Sequence, residues 1–438
     1  MKKMKKILFI IITFSTVTLN AQKKWSLEEC ISYALENNIS INQLRVNADI
    51  QIQSIKANKG SLMPTLSSGA SQQNNYFGSV STRGDNFSTT LNFLDANWTV
   101  FNGFKNLNNY KKSLIDGEIA SKNIEILSND VALNIANTYL QVLLNKELLN
   151  VAKNQLELSK RQLDISKQQL KSGVTSEANV YDVEATVARD EQTLVQQENT
   201  LLSSLLLLKQ QLQLPVEEPF DVAELLADKL LNKLEVRTPA TVYQEAEKSR
   251  PEIEAAELGI ESISKNLKIV LANYLPSLTL GYGYGATYSY IKGAQHDNFS
   301  KQLDDNLGHA ITASLNIPIF TGFSNKTNVE IAKLNIENAE LDLANEKFNL
   351  RQNIETAYLD VLNARKAYEA SLKTLKSREI SLDFTEKRFK TGTVNNFDFE
   401  TSKNNFISSQ SSVAQSKYDY IFKVKVLKFY AGNDFSLN

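Results

Sequence analysis

The sequence predicts an α+β membrane protein in which each chain is a tandem repeat of helix, strand, strand, long helix and helix, its strands of transmembrane-barrel type. Three observations carry this. Distinctive residues recur 219 positions apart: Phe101, Gly103 and Phe104 return as Phe320, Gly322 and Phe323, Lys171 and Gly173 as Lys390 and Gly392, and Lys209 as Lys428. Between them run apolar heptads, Ile135, Val142, Leu149, Leu156, Leu163 and Leu170, answered by Ile354, Val361, Tyr368, Leu375, Leu382 and Phe389, which is the seam of a coiled coil. A third stretch changes period from seven to two. There Leu278, Leu280, Tyr282, Tyr284, Ala286, Tyr288 and Tyr290 alternate with small or polar residues, the mark of strands.

Residues 1–21 read as a signal peptide: Lys2, Lys3, Lys5 and Lys6 precede the apolar run Ile7 to Phe14, and Leu19-Asn20-Ala21 offers a cleavage site. Removing them, with four lysines and no acids, moves the formal charge from −1 to −5, which gives no reason to expect a nucleic-acid partner. Cys30 is the only cysteine, so an intrachain disulfide is excluded. Its acidic context, Leu27-Glu28-Glu29-Cys30, well past the apolar run, argues against a lipid anchor. No later stretch approaches the ~18 consecutive apolar residues of a membrane helix.

The first repeat spans 22–214. A helix over 26–59 starts at Ser26 as N-cap, with Glu28 and Glu29 in its first turn and Ala34, Ile41, Ala48 and Ile55 seven apart. Strands follow over about 65–101. Phe87, Thr89, Leu91 and Phe93 alternate, then the apolar parity switches to Leu94, Ala96, Trp98 and Val100, while the partner around Leu66 to Tyr76 is weakly patterned. The long helix, 105–171, extends ~100 Å at ~1.5 Å per residue. A second seam, Leu144, Val151, Leu158 and Ile165, lies ~200° around it and calls for two neighbours, as in a ring of helices. Past a turn at Gly173 comes a returning helix, 177–213. The first and returning helices hold 34 and 37 residues, so stacked end to end they match the 67 of the long one.

Residues 215–238, with Pro215 and Pro219, form a linker with a short helix from Asp221 to Leu231, placed outside the rods near their middle. The second repeat spans 239–431, with helices 239–273, 324–390 and 396–431, strands over about 277–320 and the tail 432–438 beyond it. Arg250-Pro251-Glu252 predicts a kink or a late helix start. The repeat offset grows from 212 to 219 between Pro276 and Phe320, so the second copy carries seven extra residues there, around a polar loop from Gly293 to Asn306.

Catalysis finds no support in the chain. His296 and His309 have no metal-ligand partner at a useful spacing, and Gly281, Gly283 and Gly285 sit inside a strand with no helix after it. No cofactor is expected. Four strands cannot close a barrel, and lipid does not tolerate open edges, so the chain must oligomerise; two copies give eight strands and three give twelve. The alternative is a non-conducting periplasmic coiled-coil scaffold whose strands form a soluble sheet.

The tandem repeat, the Phe101-Asn102-Gly103-Phe104 and Ile317-Pro318-Ile319-Phe320-Thr321-Gly322 junctions, Arg250-Pro251-Glu252 and the Gly173 and Gly392 turns together resemble the TolC family of outer-membrane efflux proteins, over about residues 25–431. The resemblance implies a homotrimer. Its twelve-stranded transmembrane β-barrel would sit in the lipid of a Gram-negative outer membrane and continue into a twelve-helix coiled-coil tunnel through the periplasm. The function implied is a passive exit duct of a tripartite efflux or type I secretion system, working with a periplasmic adaptor (membrane fusion) protein and an inner-membrane transporter of RND or ABC type. It places the turns Ser172-Gly173-Val174-Thr175 and Thr391-Gly392-Thr393-Val394 at the periplasmic tip as adaptor contacts. Asp398, six residues after Gly392, would line the closed end of the tunnel, with Glu400 and Asp182 as further constriction candidates; a solvated or capping role is the other reading of Asp398. Where the family carries a gating tyrosine and arginine, this chain has Phe389 and Val394, and a second family aspartate is Thr401.

Overall fold

A computed structural model describes residues 24–76, 86–224 and 237–432. The predicted signal peptide, residues 433–438 of the tail and most of the linker helix lie outside the described residues. In chain order the elements are β1 (Lys24–Trp25), α1 (Leu27–Asn37), α2 (Ile39–Gly60), β2 (Thr65–Asn75), β3 (Asn86–Asn102), α3 (Lys105–Lys171), α4 (Glu177–Gln211) and β4 (Asp221–Val222). The second half gives α5 (Pro239–Ser249), α6 (Pro251–Leu271), β5 (Ser277–Ile291), α7 (Phe299–Asp305), β6 (Gly308–Asn316), α8 (Ser324–Lys390) and α9 (Asn396–Tyr430).

The helix expected over 26–59 is two helices. Asn38 adopts extended backbone (φ −60°, ψ 125°) and ends α1, while its side chain accepts hydrogen bonds from the N–H groups of Ser40 and Ile41 at 2.9 and 3.2 Å and so starts α2. The residue 212 positions on, Arg250, breaks the second copy in the same way (φ −80°, ψ 126°), here enforced by Pro251 at the first helical position. Its guanidinium grips Glu252 at 2.6 Å and lies 4.4 Å over the ring of Phe429. Both copies therefore bend at one height, by different chemistry.

α3 and α8 are each 67 residues long, and each begins where a strand ends. At both junctions two successive residues take the left-handed conformation, Gly103 (φ 66°) with Phe104 (φ 65°), and Gly322 (φ 58°) with Phe323 (φ 63°). A Cβ on Gly103 would also stand 2.8 Å from the Ala272 carbonyl oxygen, so space as well as backbone requires glycine. α3 packs against α1, α2, α4, α6 and α9, more than one neighbour, as its two seams predict.

The rods are not stacked purely end to end. α1 and the end of α4 meet at one level of α3, where Leu27, Cys30, Ala34, Ile135, Tyr139, Leu208 and Leu212 share one buried cluster. Tyr139, fully buried at the midpoint of α3, directs its hydroxyl at the carbonyls of Trp25 (3.1 Å) and Ala223 (2.9 Å). These flank β1 and β4, which pair in parallel. Asp221 and Val222 are therefore strand, not the start of the expected helix, because the pairing and an ion pair from Lys146 to Asp221 (2.5 Å) hold them extended across the rods. Burial raises the pKa of the Tyr139 hydroxyl well above its ordinary value.

One antiparallel sheet has the order β2-β3-β5-β6. The parity switch read in β3 is a β-bulge: Asn92 pairs with Gly285 and Leu94 with Tyr284, leaving Phe93 unopposed. β6 stops at Asn316 instead of continuing to about 320, since Pro318 has no N–H to donate. The expected irregular loop contains α7, which falls in the interval of the seven extra residues. Before the start of β6, Gln302 Oε1 accepts from the Ser289 N–H (3.0 Å) and the Asn306 side-chain amide donates to the Thr287 carbonyl (2.7 Å), so side chains close the edge of β5 that β6 does not reach.

Candidate functional site

Two regions bear on function, the tip of the helices and the faces of the sheet. At the tip, α3 ends in a Schellman motif: the Gly173 N–H (φ 73°) bonds the Leu170 carbonyl at 3.0 Å and the Val174 N–H bonds that of Gln169 at 2.9 Å. Gly392 (φ 73°) and Thr393 repeat it onto Phe389 and Arg388, at 3.0 and 2.9 Å. The two turns sit together. A Cβ on Gly392 would stand 3.1 Å from Val174 Cγ1, and the Gln169 amide donates to the Phe389 carbonyl at 2.8 Å. Ser172, Gly173, Val174, Thr391, Gly392 and Thr393 are exposed, so this end presents backbone, hydroxyls and the Val174 side chain to solvent.

Phe389 and Val394 do not form a polar link. Phe389 stacks on Phe399 with centroids 4.8 Å apart and is buried with it and Leu382, with Val394, Ile165 and Phe406 packed around them. This apolar cluster lies within the second hairpin, and the first hairpin adds Ile165 to it and the Gln169 amide beside it.

Asp398 is exposed in the first turn of α9, where its N–H bonds Asn395 Oδ1 (2.8 Å) and its carboxylate meets the positive end of the helix. Asp182 is likewise exposed, in the second turn of α4 region 177–185. Glu400 is drawn apart from them, because its Oε1 lies 3.0 Å from Lys403 Nζ.

Lys403 is the residue that sequence reasoning missed. It is 0% exposed, donates to Ser159 Oγ at 2.7 Å and lies 3.5 Å from Asp190, itself 2% exposed. Asp190 in turn accepts from the amide of Gln155 (2.7 Å) and from Ser159. Three helices, α3, α4 and α9, thus share one buried charged cluster. The signal lay in the heptads: Lys403 stands four residues past the seam residue Phe399 and Asp190 three past Val187, where the second apolar position of each heptad belongs.

The sheet separates its faces. One carries Phe101, Trp98, Leu94, Tyr282, Tyr284 and Leu315; Phe299 of α7 lies on Tyr288 at one end of it, ring centroids 5.0 Å apart, and the rest is open, with Ile311 82% exposed. The other carries Asn97, Asp95, Thr90, Thr287, Thr312 and Ser314, above the glycines 281, 283 and 285. A Cβ on Gly281 would fall 2.4 Å from Thr312 Oγ1, so the small residues make room for polar neighbours lying across them. Among the described residues no helix is long and apolar enough to cross a membrane.

A family model described as outer membrane efflux protein matches residues 30–212 and 242–433. Among curated proteins, the chain is 23% identical over 186 residues to outer membrane efflux protein BepC of Brucella suis, 42% of this chain and 39% of that one. It is 24% identical over 191 residues to outer membrane protein TolC of Vibrio cholerae, covering 43% and 42%. The matched stretch is thus about two fifths of the length of these relatives. Among solved structures, the fold is similar to the open-state MtrE outer membrane channel of Neisseria gonorrhoeae, with TM-score 0.78, 19% identity and coverage of 93% and 89%. It is similar also to VceC of Vibrio cholerae, with TM-score 0.76, 15% identity and coverage of 94% and 97%. With both copies of the repeat matched by one model and nearly the whole chain superposed on such channels, the protein belongs to the outer membrane efflux protein family.

Proposed function

We propose that this chain is one of three identical protomers of a passive duct through a Gram-negative outer membrane, the exit for material delivered by a periplasmic adaptor and an inner-membrane transporter. One observation carries it. The sheet has an apolar face open over most of its length, a polar face and two free edges, β2 and β6, which a single chain cannot satisfy in lipid. Placing β6 of one copy beside β2 of the next keeps every neighbour antiparallel, and three copies give twelve strands around a water-filled lumen, where eight would be filled by side chains. The tip turns with their exposed hydroxyls would meet the adaptor, and Asp398 and Asp182 would stand at the narrow end, where threefold symmetry repeats each charge three times. The cargo is either small molecules or polypeptides. Relatives include toxin and drug export protein A of Aggregatibacter actinomycetemcomitans, whose name spans both.

The test is purification and planar-bilayer recording. A duct requires detergent, has the native mass of a trimer and conducts ions; recovery of a monomer in the soluble periplasmic fraction would replace this reading with the scaffold. In the same bilayers Asp398→Ala weakens block by di- and trivalent cations, and unchanged block removes Asp398 from the constriction.

A further inference from the structure

Around Lys403 the buried charges do not balance. The Asp190 side chain is 2% exposed and that of Glu400 13%, so the space shared by α3, α4 and α9 holds two carboxylates against one ammonium. The neighbouring charged side chains point elsewhere: Lys160 pairs with Glu191 at 3.1 Å, both more than half exposed, Arg189 reaches Thr186 on its own helix, and Glu157 and Arg161 are exposed. A negative surplus held out of water calls for a counter-charge.

Two oxygens mark where it belongs. Glu400 Oε1 faces Lys403 Nζ at 3.0 Å, whereas Glu400 Oε2 is buried and meets no donor. Gln162, 1% exposed, is in the same position: its amide donates to Asn396 Oδ1, and its Oε1 has no partner. The contacts of Gln162 with Asn396 and of Ser159 with Lys403 show α3 and α9 running antiparallel, which sets Gln162 one turn from Ser159 and Glu400 between Asn396 and Lys403. Both bare acceptors thus fall in one gap between the two helices. Turning both amides over would offer Glu400 an N–H but leave the surplus charge as it is.

We propose that this gap holds one monovalent cation, sodium, bound by Glu400 Oε2 and Gln162 Oε1. One positive charge brings the cluster to neutrality, a divalent ion would overshoot it, and oxygen donors suit a hard cation. Among the described residues no cluster of three or more acids, histidines or cysteines stands ready for a tightly held metal, and a carboxylate with an amide suits a weakly held ion. Water reaching past the partly exposed Glu400 completes its coordination. The site lies within one protomer, so it does not depend on how copies assemble. Asn396 is four residues past Gly392, so the ion ties the two hairpins together close to the tip.

The test is amide hydrogen exchange of the full chain in detergent, in sodium chloride and in choline chloride at equal ionic strength, so that surface charges are screened alike in both. Sodium at ten times its Kd should slow exchange over 396–403 about tenfold relative to choline, with a titration that saturates. Glu400→Gln, which removes the surplus charge, and Gln162→Met, which removes the amide oxygen, should each exchange alike in the two salts. Equal exchange of the parent in sodium and choline overturns the site, and that comparison stands even where a variant fails to fold. A sodium effect that either variant retains in full overturns it as well.

Discussion

Lys403 shows how one side chain can join three helices. A fully buried ammonium with Asp190 and Glu400 beside it contributes little net stability compared with a well-packed apolar core, yet removing one partner alone is costly because the remaining charges stay buried. Lys403→Met is therefore expected to weaken the contact of α9 with α3 and α4 by about 3–5 kcal/mol. Amide hydrogen exchange over 396–407 and 155–162 would rise by roughly a hundredfold or more. Adding Asp190→Leu and Glu400→Leu should restore most of the protection; a single variant indistinguishable from the parent would show that the cluster carries no such load. The resemblance made Glu400 a constriction candidate because it adjoins Thr401, which stands where the family has an aspartate. Only the packing of three helices shows that one of its carboxylate oxygens meets Lys403.

Among the elements, β3 and β5 are held in one register by a bulge and by glycines with unequal duties. A Cβ at Gly285 would fall 2.4 Å from the Leu91 carbonyl oxygen, beside the bulge at Phe93, so backbone must move to admit it. At Gly283 nothing lies within 4 Å. Gly285→Ala is expected to disrupt the sheet and lower the yield of heat-resistant oligomer several-fold, while Gly283→Ala leaves it near the parent value, as a gel-shift assay in detergent would show. Equal behaviour of the two would contradict the close approach. The alternation of residues 278–290 made the strand legible, and the parity switch after Phe93 made the bulge legible in outline. The break at Asn38 was not, since asparagine is common within surface helices and its capping role depends on where the chain turns.

At the scale of the whole molecule, length is the constraint. Two long helices of 67 residues bring Gly173 and Gly392 to one height. Deleting seven residues, 147–153, from α3 alone preserves its heptads but draws its end back by ~10 Å. That variant is expected to lose the trimeric native mass, whereas removing one heptad from each of α3, α4, α8 and α9 yields a shorter assembly visible by electron microscopy. Normal assembly of the first variant would show that matched height is dispensable.

The sequence by itself determined what is periodic or repeated: the tandem copies, the long coiled-coil helices, the strands and the glycine turns, because heptads, alternation and left-handed backbone are local properties written into neighbouring residues. The tertiary structure alone decided that Lys403 is buried between two carboxylates, that Phe389 and Val394 close an apolar contact, and that Asp221 joins a strand. Each of those depends on residues tens to hundreds of positions apart meeting at one height, and such a meeting leaves no pattern in any short stretch of chain.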